Sequence, residues 1–187
     1  MNFNFIDNID VVSLKEKVLS SDSLWTKRPR VVKDPLNSVQ RDTFLIPIKW
    51  EEKSMQTGIE SLMDEKIFES LNISSFLEKL NQILNKTYGD GIAVRMMITK
   101  LPPDCKIYPH HDTGFSLKNA HRIHIPLQSH PSMIFNVDDE IISMKEGEIW
   151  EIDNTKLHSV ENNSSIDRIH FIIDYQTSYL NIIKRKS

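Results

Sequence analysis

The stretch IAVRMMITK, at residues 92–100, is the first of eight short β-rich segments that follow one another as far as Asp174. Turn residues separate them, and the other seven cover residues 107–110, 122–127, 133–137, 140–144, 148–152, 159–161 and 168–174. Eight short strands without intervening helices are typical of a jelly roll, in which two facing sheets enclose a site at the mouth of a barrel. We therefore expect residues 92–187 to form such a barrel.

The first 91 residues predict an extension of helices and one strand, packed on the barrel within one compact domain. The whole chain is then mainly β with N-terminal helices, an α+β arrangement. Apolar residues recur at helical spacing over three stretches, residues 11–20, 58–69 and 74–88. The segment TFLIPIKW at residues 43–50 is strand-like. Its Pro47 favours an edge position, because proline cannot donate a hydrogen bond to a central ladder.

The composition is that of an ordinary soluble protein. Of 187 residues, 39% are hydrophobic and 26% charged, and the net charge is −3. The chain lacks the basic excess expected of a protein that binds nucleic acid or an anionic membrane, and no apolar run approaches the roughly 18 residues of a membrane span. The N-terminus does not resemble a secretion signal, and the single Cys105 cannot form an internal disulfide. We expect a cytoplasmic protein without nucleic-acid or membrane partners, while its oligomeric state stays unknown.

All seven histidines lie between residues 110 and 170, which places the expected chemistry in the C-terminal part. Within IYPHHDTG at residues 107–114, His110 and Asp112 offer an imidazole and a carboxylate on one side of an extended segment. A divalent metal held there needs a second imidazole, for which His158 is the candidate. Two histidines and one carboxylate leave coordination positions open, an arrangement typical of non-haem Fe(II) oxygenases.

The triplet RIH occurs twice, at residues 122–124 and 168–170. In a strand, the arginine and histidine of each triplet share one face and the isoleucine takes the other. Arg168, ten residues beyond His158, can grip a carboxylate with two parallel hydrogen bonds. Such cations are costly inside a barrel unless paired, so a bound dianion would explain them. The alternative is two half-exposed strands with their polar faces in water.

Between residues 99 and 175 four motifs stand out, LPPDCKIYPHHD, RIHIPL, EGEIWEIDNTKLHSV and DRIHFIID. Together they resemble the aspartyl/asparaginyl β-hydroxylase group of Fe(II)- and 2-oxoglutarate-dependent oxygenases, which includes bacterial proline hydroxylases. The resemblance implies a double-stranded β-helix, the cupin-like jelly roll. It also implies an enzyme that uses Fe(II), 2-oxoglutarate and O₂ to hydroxylate an unactivated C–H bond, with release of succinate and CO₂.

The resemblance further implies a role for each matching residue. The implied iron ligands are His110, Asp112 and His158, and the implied co-substrate contacts are Arg168, for the far carboxylate, with Arg122, His124 and Thr99. Vertebrate aspartyl hydroxylases of this group have glycine where this chain has Asp112, which points to the branch with a complete triad. Both His110 and His111 precede that carboxylate; the spacing and the family pattern favour His110.

The substrate is less defined. Arg28 and Arg30 are candidates for the mouth of a pocket, against the alternative of solvated loop charges, and Trp150 is a candidate substrate wall, against the alternative of core. A free amino acid is the first expectation and a peptide side chain the second. Two other functions stay open: a cupin-type metalloenzyme such as an isomerase or a 2-oxoglutarate-independent dioxygenase, and a non-catalytic ligand-binding barrel.

Overall fold

The computed structural model describes residues 1–27, 42–54, 58–112 and 119–177, with the backbone alone for residues 51–54 and 58–62. Within these ranges a short 3-10 turn at Asp22–Leu24 accompanies three helices and twelve strands. The helices are α1 (Val12–Leu19), α2 (Glu65–Leu71) and α3 (Ser74–Tyr88). The strands are β1 (Phe3–Asn8), β2 (Thr26–Lys27), β3 (Phe44–Ser54), β4 (Gly58–Met63), β5 (Gly91–Leu101), β6 (Lys106–His110), β7 (His121–Gln128), β8 (Met133–Val137), β9 (Glu140–Ile142), β10 (Glu148–Ile152), β11 (His158–Asn162) and β12 (Arg168–Thr177).

The described strands form two antiparallel sheets. The major sheet has the order β1-β10-β7-β12-β5-β3-β2, with β4 also paired to β3, and the minor sheet has the order β6-β11-β8-β9. All eight strands expected between residues 92 and 174 are present. The predicted jelly roll is therefore confirmed.

The alternation of β7 and β12 gives the major sheet two different faces. The outward face carries aliphatic and aromatic side chains that join the helices in one core: Ile123, Ile125, Leu127, Ile169, Phe171 and Ile173. The inward face carries Arg122, His124, Arg168 and His170, which are all buried. Their burial rules out the alternative of two strands with polar faces in water.

A second core fills the space between the sheets. Phe3, Leu101 and Ile152 of the major sheet contact Phe135 and Val160 of the minor sheet. The ring of Phe3 meets that of Phe135 edge to face, with the centroids 5.7 Å apart. These apolar side chains fill one part of the barrel interior. The polar inward-facing residues of β7 and β12 lie beside them.

The N-terminal region differs from the prediction in two ways. Strand β1 was not expected, because asparagine and aspartate interrupt its apolar residues; it pairs with β10, Phe3 opposite Ile152. The helix expected over residues 58–69 is wrong in its first half. Residues 58–63 form a strand on β3, and the helix begins only after Asp64, whose Oδ1 accepts from the backbone N–H of Ile67 at 3.1 Å.

The edge position expected for Pro47 is also wrong, since β3 has neighbours on both sides. It pairs with β5 on one side and with β2 and then β4 on the other. Pro47 lies between the parts of β3 that pair with β2 and β4, beside an irregularity in the β5 register between Pro47 and Lys49. Proline is tolerated there because the regular ladder is interrupted.

The boundary at residue 91, between the N-terminal extension and the barrel, stays a prediction.

Among the described residues, no helix combines the length and the apolarity that crossing a membrane requires.

Candidate metal and co-substrate site

Strand pairing in the minor sheet brings two histidines together. His110 ends β6, His158 begins β11, and the two residues are direct partners in the ladder. Asp112 follows two residues after His110; its Oδ1 lies 3.9 Å from His110 Nε2 and its Oδ2 lies 4.0 Å from His158 Nε2. One potential ligand atom from each residue lies within 4.8 Å of the others, so one metal ion could reach all three.

Backbone carbonyls orient both imidazoles. His110 Nδ1 lies 2.8 Å from the carbonyl oxygen of Tyr108, and His158 Nδ1 lies 2.9 Å from that of Lys156. A proton on each Nδ1 satisfies these carbonyls and leaves the Nε2 lone pairs facing Asp112, which is the usual arrangement of metal-binding histidines. Asp153, a carboxylate close enough in sequence to orient His158, instead accepts from the Thr155 hydroxyl at 2.6 Å.

The neighbouring His111 is directed elsewhere. Its side chain is exposed, and its Nδ1 lies 3.0 Å from the carbonyl oxygen of Thr155. The geometry therefore places His110, rather than His111, beside Asp112 and His158.

The Asp112 carboxylate is held by two donors. Its Oδ2 accepts from Arg122 Nη2 at 2.8 Å and from Asn154 Nδ2 at 3.3 Å, and the Asp112 N–H donates to the carbonyl of Asn154 at 3.2 Å. Burial acts to raise the pKa of Asp112, but Arg122, His158 and His110 outweigh it and hold that pKa below its ordinary value. The group is thus kept as the anion that a metal requires. Asn154 was missed by the sequence reasoning, although it lies only four residues before His158.

His158 is held in its neutral form. Burial lowers its pKa, and this effect outweighs the Lys156 carbonyl and the Asp112 charge, which both act to raise it. Neutral imidazole is the form that binds a metal, so little competition from protons is expected at neutral pH.

Deeper in the barrel, Arg168 is a buried cation. Its side chain is 4% exposed, its Nη2 lies 3.2 Å from His170 Nδ1, and its guanidinium lies 5.4 Å from the centroid of the Phe135 ring. It forms no ion pair with any carboxylate in the described part of the chain. Burial lowers the pKa of Arg168 to about 9, so the group stays charged at neutral pH. A buried charge without a counter-ion is costly, and an anionic ligand would remove that cost.

Two more of the expected co-substrate residues share the inward face with Arg168. Thr99 is the cross-strand partner of His170, and His124 lies one strand away on β7. His124 is 6% exposed, and its Nδ1 has no hydrogen-bond partner among the described residues. Burial, with Arg122 and Arg168 nearby, lowers the pKa of His124 well below its ordinary value. An unsatisfied buried nitrogen beside a buried cation fits a pocket for a polar anion.

Arg122, expected among the co-substrate contacts, is engaged by two carboxylates. Besides Asp112, its guanidinium contacts Asp174, with Nε 3.2 Å from Oδ1. Asp174 was also missed by the sequence reasoning, since only the strand register places it opposite Arg122.

Of the three candidate substrate contacts, Trp150 alone lies among the described residues. Trp150 is half-buried opposite His124; its Nε1 donates to Glu148 at 2.9 Å and its ring packs edge to face on Phe5. Arg28 and Arg30 lie outside the described residues.

We expect acid to destabilise the metal-free protein before its carboxylates titrate. Burial lowers the pKa of His124, His158 and His170 in the folded state below the ordinary 6.5. The unfolded chain therefore binds more protons as the pH falls below 6.5, and stability present above that pH is progressively lost. Each imidazole contributes up to about 1.4 kcal/mol per pH unit. Urea unfolding at pH 7.5, 6.5 and 5.5 should show this slope. His170→Gln should reduce the slope of unfolding free energy against pH, whereas His130→Gln, at an exposed position, should not. Equal slopes in both variants would contradict the contribution assigned to the buried histidines.

Known proteins resemble this chain in both sequence and fold. The sequence model of a family described as Aspartyl/Asparaginyl beta-hydroxylase matches residues 46–177. An L-proline cis-3-hydroxylase 1 from Streptomyces sp is 30% identical over 98 residues, and an L-proline cis-4-hydroxylase from Rhizobium meliloti (strain 1021) is 30% identical over 107 residues. These matches cover 51% and 57% of this chain but only 33% and 38% of the two hydroxylases, so the chain spans well under half of their length.

Solved structures show the same fold at low identity. A prolyl hydroxylase from Trichoplax adhaerens, solved with a hypoxia inducible factor peptide fragment, has a TM-score of 0.61 at 13% identity, covering 97% of this chain and 86% of that one. An oxidoreductase of the 2OG-Fe(II) oxygenase family from Burkholderia pseudomallei has a TM-score of 0.57 at 11% identity, covering 91% of each chain. At such identities the likeness shows the fold alone.

Proposed function

Because this chain belongs to the aspartyl/asparaginyl β-hydroxylase family, we propose that it is an Fe(II)- and 2-oxoglutarate-dependent dioxygenase. It hydroxylates an unactivated C–H bond of an amino acid or a peptidyl side chain, with release of succinate and CO₂. The family implies Fe(II) as the metal, and 2-oxoglutarate and O₂ as co-substrates. The open coordination positions that a two-histidine, one-carboxylate site leaves on an octahedral ion suit this use.

The observation that carries the proposal is the buried Arg168, which forms no ion pair with a carboxylate of the described residues, in the same barrel as the His110, Asp112 and His158 group. A metal-binding barrel of another class has no evident use for a buried cation. A 2-oxo dicarboxylate needs both features, a metal for its oxo-acid end and a cation for its far end. A non-catalytic barrel would also bind such a ligand, so turnover is the property that separates the two.

In this mechanism His110, Asp112 and His158 hold Fe(II), and Arg168 binds the far carboxylate of 2-oxoglutarate. The bound metal supplies the activation of O₂ that C–H hydroxylation requires. The protein keeps the ligands in their binding forms, two imidazoles whose Nε2 atoms face Asp112 and one anionic carboxylate. Arg168 and His124 are buried, so little water reaches them. The proposed ion pair between Arg168 and the co-substrate carboxylate is stronger for that reason.

The substrate is proposed to be a free amino acid, with a peptide side chain as the second candidate. Two relatives at 30% identity are named as L-proline hydroxylases, and a small imino or amino acid suits an enclosed barrel. The peptide side chain remains the second candidate because the similar prolyl hydroxylase was solved with a peptide fragment. A cytoplasmic setting also fits, because a reducing compartment preserves Fe(II) and the thiol of Cys105.

The test is succinate release from 2-oxoglutarate under air with Fe(II), screened against free amino acids beginning with L-proline, and against proline-containing peptides. We expect succinate in amounts matched by hydroxylated product for one substrate class. The matched control is Asp112→Ala, which should release none. If Fe(II) binds but 2-oxoglutarate neither binds nor turns over, the isomerase and 2-oxoglutarate-independent dioxygenase alternatives replace this proposal. Binding without succinate for any substrate would favour the non-catalytic barrel.

A further inference from the structure

A row of alternating charges crosses three neighbouring strands of the major sheet. Asp174 on β12 lies directly opposite Arg122 on β7 and Arg95 on β5. Its carboxylate oxygens lie 3.2 Å from Arg122 Nε and 3.6 Å from Arg95 Nε. The side chain of Asp174 is 1% exposed, so this is a buried anion between two arginines.

The row continues to the metal group at one end and towards the surface at the other. Arg122 Nη2 donates to Asp112 Oδ2 at 2.8 Å. At the far end, the guanidinium of Arg95 lies over the ring of Trp50, 4.7 Å from its centroid. The order Arg95, Asp174, Arg122, Asp112 therefore alternates in sign and ends on a residue of the candidate metal site.

Arg122 has the shape needed to connect its two carboxylates. Its guanidinium is planar and rigid, and two of its nitrogens face different carboxylates: Nε lies at ion-pair distance from Asp174, and Nη2 donates to Asp112. Rotation of the guanidinium plane would break at least one of these two contacts, so the pairing with Asp174 also fixes the group that holds Asp112. Arg122 and Asn154 both donate to Asp112 Oδ2, so Oδ1 is the oxygen that remains for a metal ion.

We propose that Asp174 is a positioning residue of the metal centre, which acts through Arg122 to hold the Asp112 carboxylate in its metal-binding orientation. The inference rests on the proposed function, because it takes His110, Asp112 and His158 as the metal ligands. Removing a residue that hydrogen-bonds to a metal ligand typically lowers metal affinity about 10- to 100-fold. Asp174 contacts Arg122 rather than a metal ligand, so its removal should cost an amount near the lower end of this range.

The test is Mn(II) binding to the metal-free protein by calorimetry, without 2-oxoglutarate, so that any co-substrate contact of Arg122 does not enter. We expect Asp174→Asn and Arg122→Gln each to weaken Mn(II) binding by about 10-fold or more. The double variant should bind no more weakly than the worse single variant, because both changes break the same connection. Asp22→Asn, at an exposed aspartate remote in sequence from the site, is the matched control and should bind like the wild type.

A merely structural role for Asp174 predicts a different pattern, a lowered midpoint of thermal unfolding with unchanged Mn(II) affinity. That result would overturn the proposal, as would a double variant whose losses multiply. If Asp174→Asn does not fold, Arg122→Lys replaces it, because an ammonium group cannot grip two carboxylates in a fixed plane; wild-type affinity there would also overturn the proposal. Failure of the wild type to bind Mn(II) would remove the proposed function itself. Binding that needs Asp112 but not Asp174 would overturn this inference alone.

Discussion

Arg168→Met is expected to abolish 2-oxoglutarate binding and, at the same time, to stabilise the protein without its ligands. Losing one partner of a buried ion pair typically costs about 2–5 kcal/mol, so we expect affinity to fall by about 30-fold or more. The ligand-free protein, in contrast, no longer carries a buried cation that forms no ion pair with a described carboxylate. Methionine fills a similar volume, and loss of the bond to His170 offsets only part of the gain.

The measurement has two parts. Anaerobic titration of the Fe(II)-loaded protein with 2-oxoglutarate should give a visible metal-to-ligand charge-transfer band in the wild type and none in Arg168→Met. Thermal unfolding of the metal-free forms should show a higher midpoint for the variant.

Two controls separate charge from geometry. Arg168→Lys keeps a positive charge but loses the planar fork, so its affinity should lie between those of the wild type and Arg168→Met. Lys66→Met, at an exposed position on α2, should change neither property. A normal charge-transfer band in Arg168→Met would show that the far carboxylate binds elsewhere. A lowered unfolding midpoint would show that Arg168 has a structural partner that outweighs its burial cost.

The sequence was sufficient for features that depend on local spacing. Short β-rich segments bounded by turn residues located all eight barrel strands, and alternation around the two RIH triplets assigned the faces of β7 and β12 correctly. The spacing of His110 and Asp112 put two of the three grouped residues together without any register, because they are two residues apart in the chain.

Features that depend on strand register could not be read from the chain. Asp174 lies 52 positions from Arg122 in sequence, and only the pairing of β12 with β7 makes them neighbours. Asn154 contacts Asp112 through a turn whose closure is a tertiary event. Strand β1 was missed because its stability comes from pairing with β10 rather than from its own composition. Local propensity therefore located the strands, while tertiary pairing decided which charges meet.

The largest loss of metal affinity and turnover should come from His110→Ala, and His111→Ala is its matched control. The two histidines are adjacent, but only the first has its Nε2 near Asp112, whereas the second is exposed and lies against the Thr155 carbonyl. Removing a residue that hydrogen-bonds to a metal ligand lowers metal affinity about 10- to 100-fold. Removing a ligand itself should therefore lower it by more than about 100-fold. His110→Ala, like His158→Ala and Asp112→Ala, should therefore bind Fe(II) or Mn(II) only weakly and release no succinate.

His111→Ala should stay within a few-fold of the wild type in metal affinity and turnover, since it loses one hydrogen bond at the surface. The same calorimetric and succinate assays apply to both variants, and circular dichroism establishes that each is folded. Loss of metal in His111→Ala with retention in His110→Ala would reverse the assignment of the first imidazole. Retention of near-normal turnover in both His158→Ala and Asp112→Ala would remove the triad altogether. Because His110 and His111 share nearly the same backbone position, any difference between their variants reports where each ring points rather than how the loop folds.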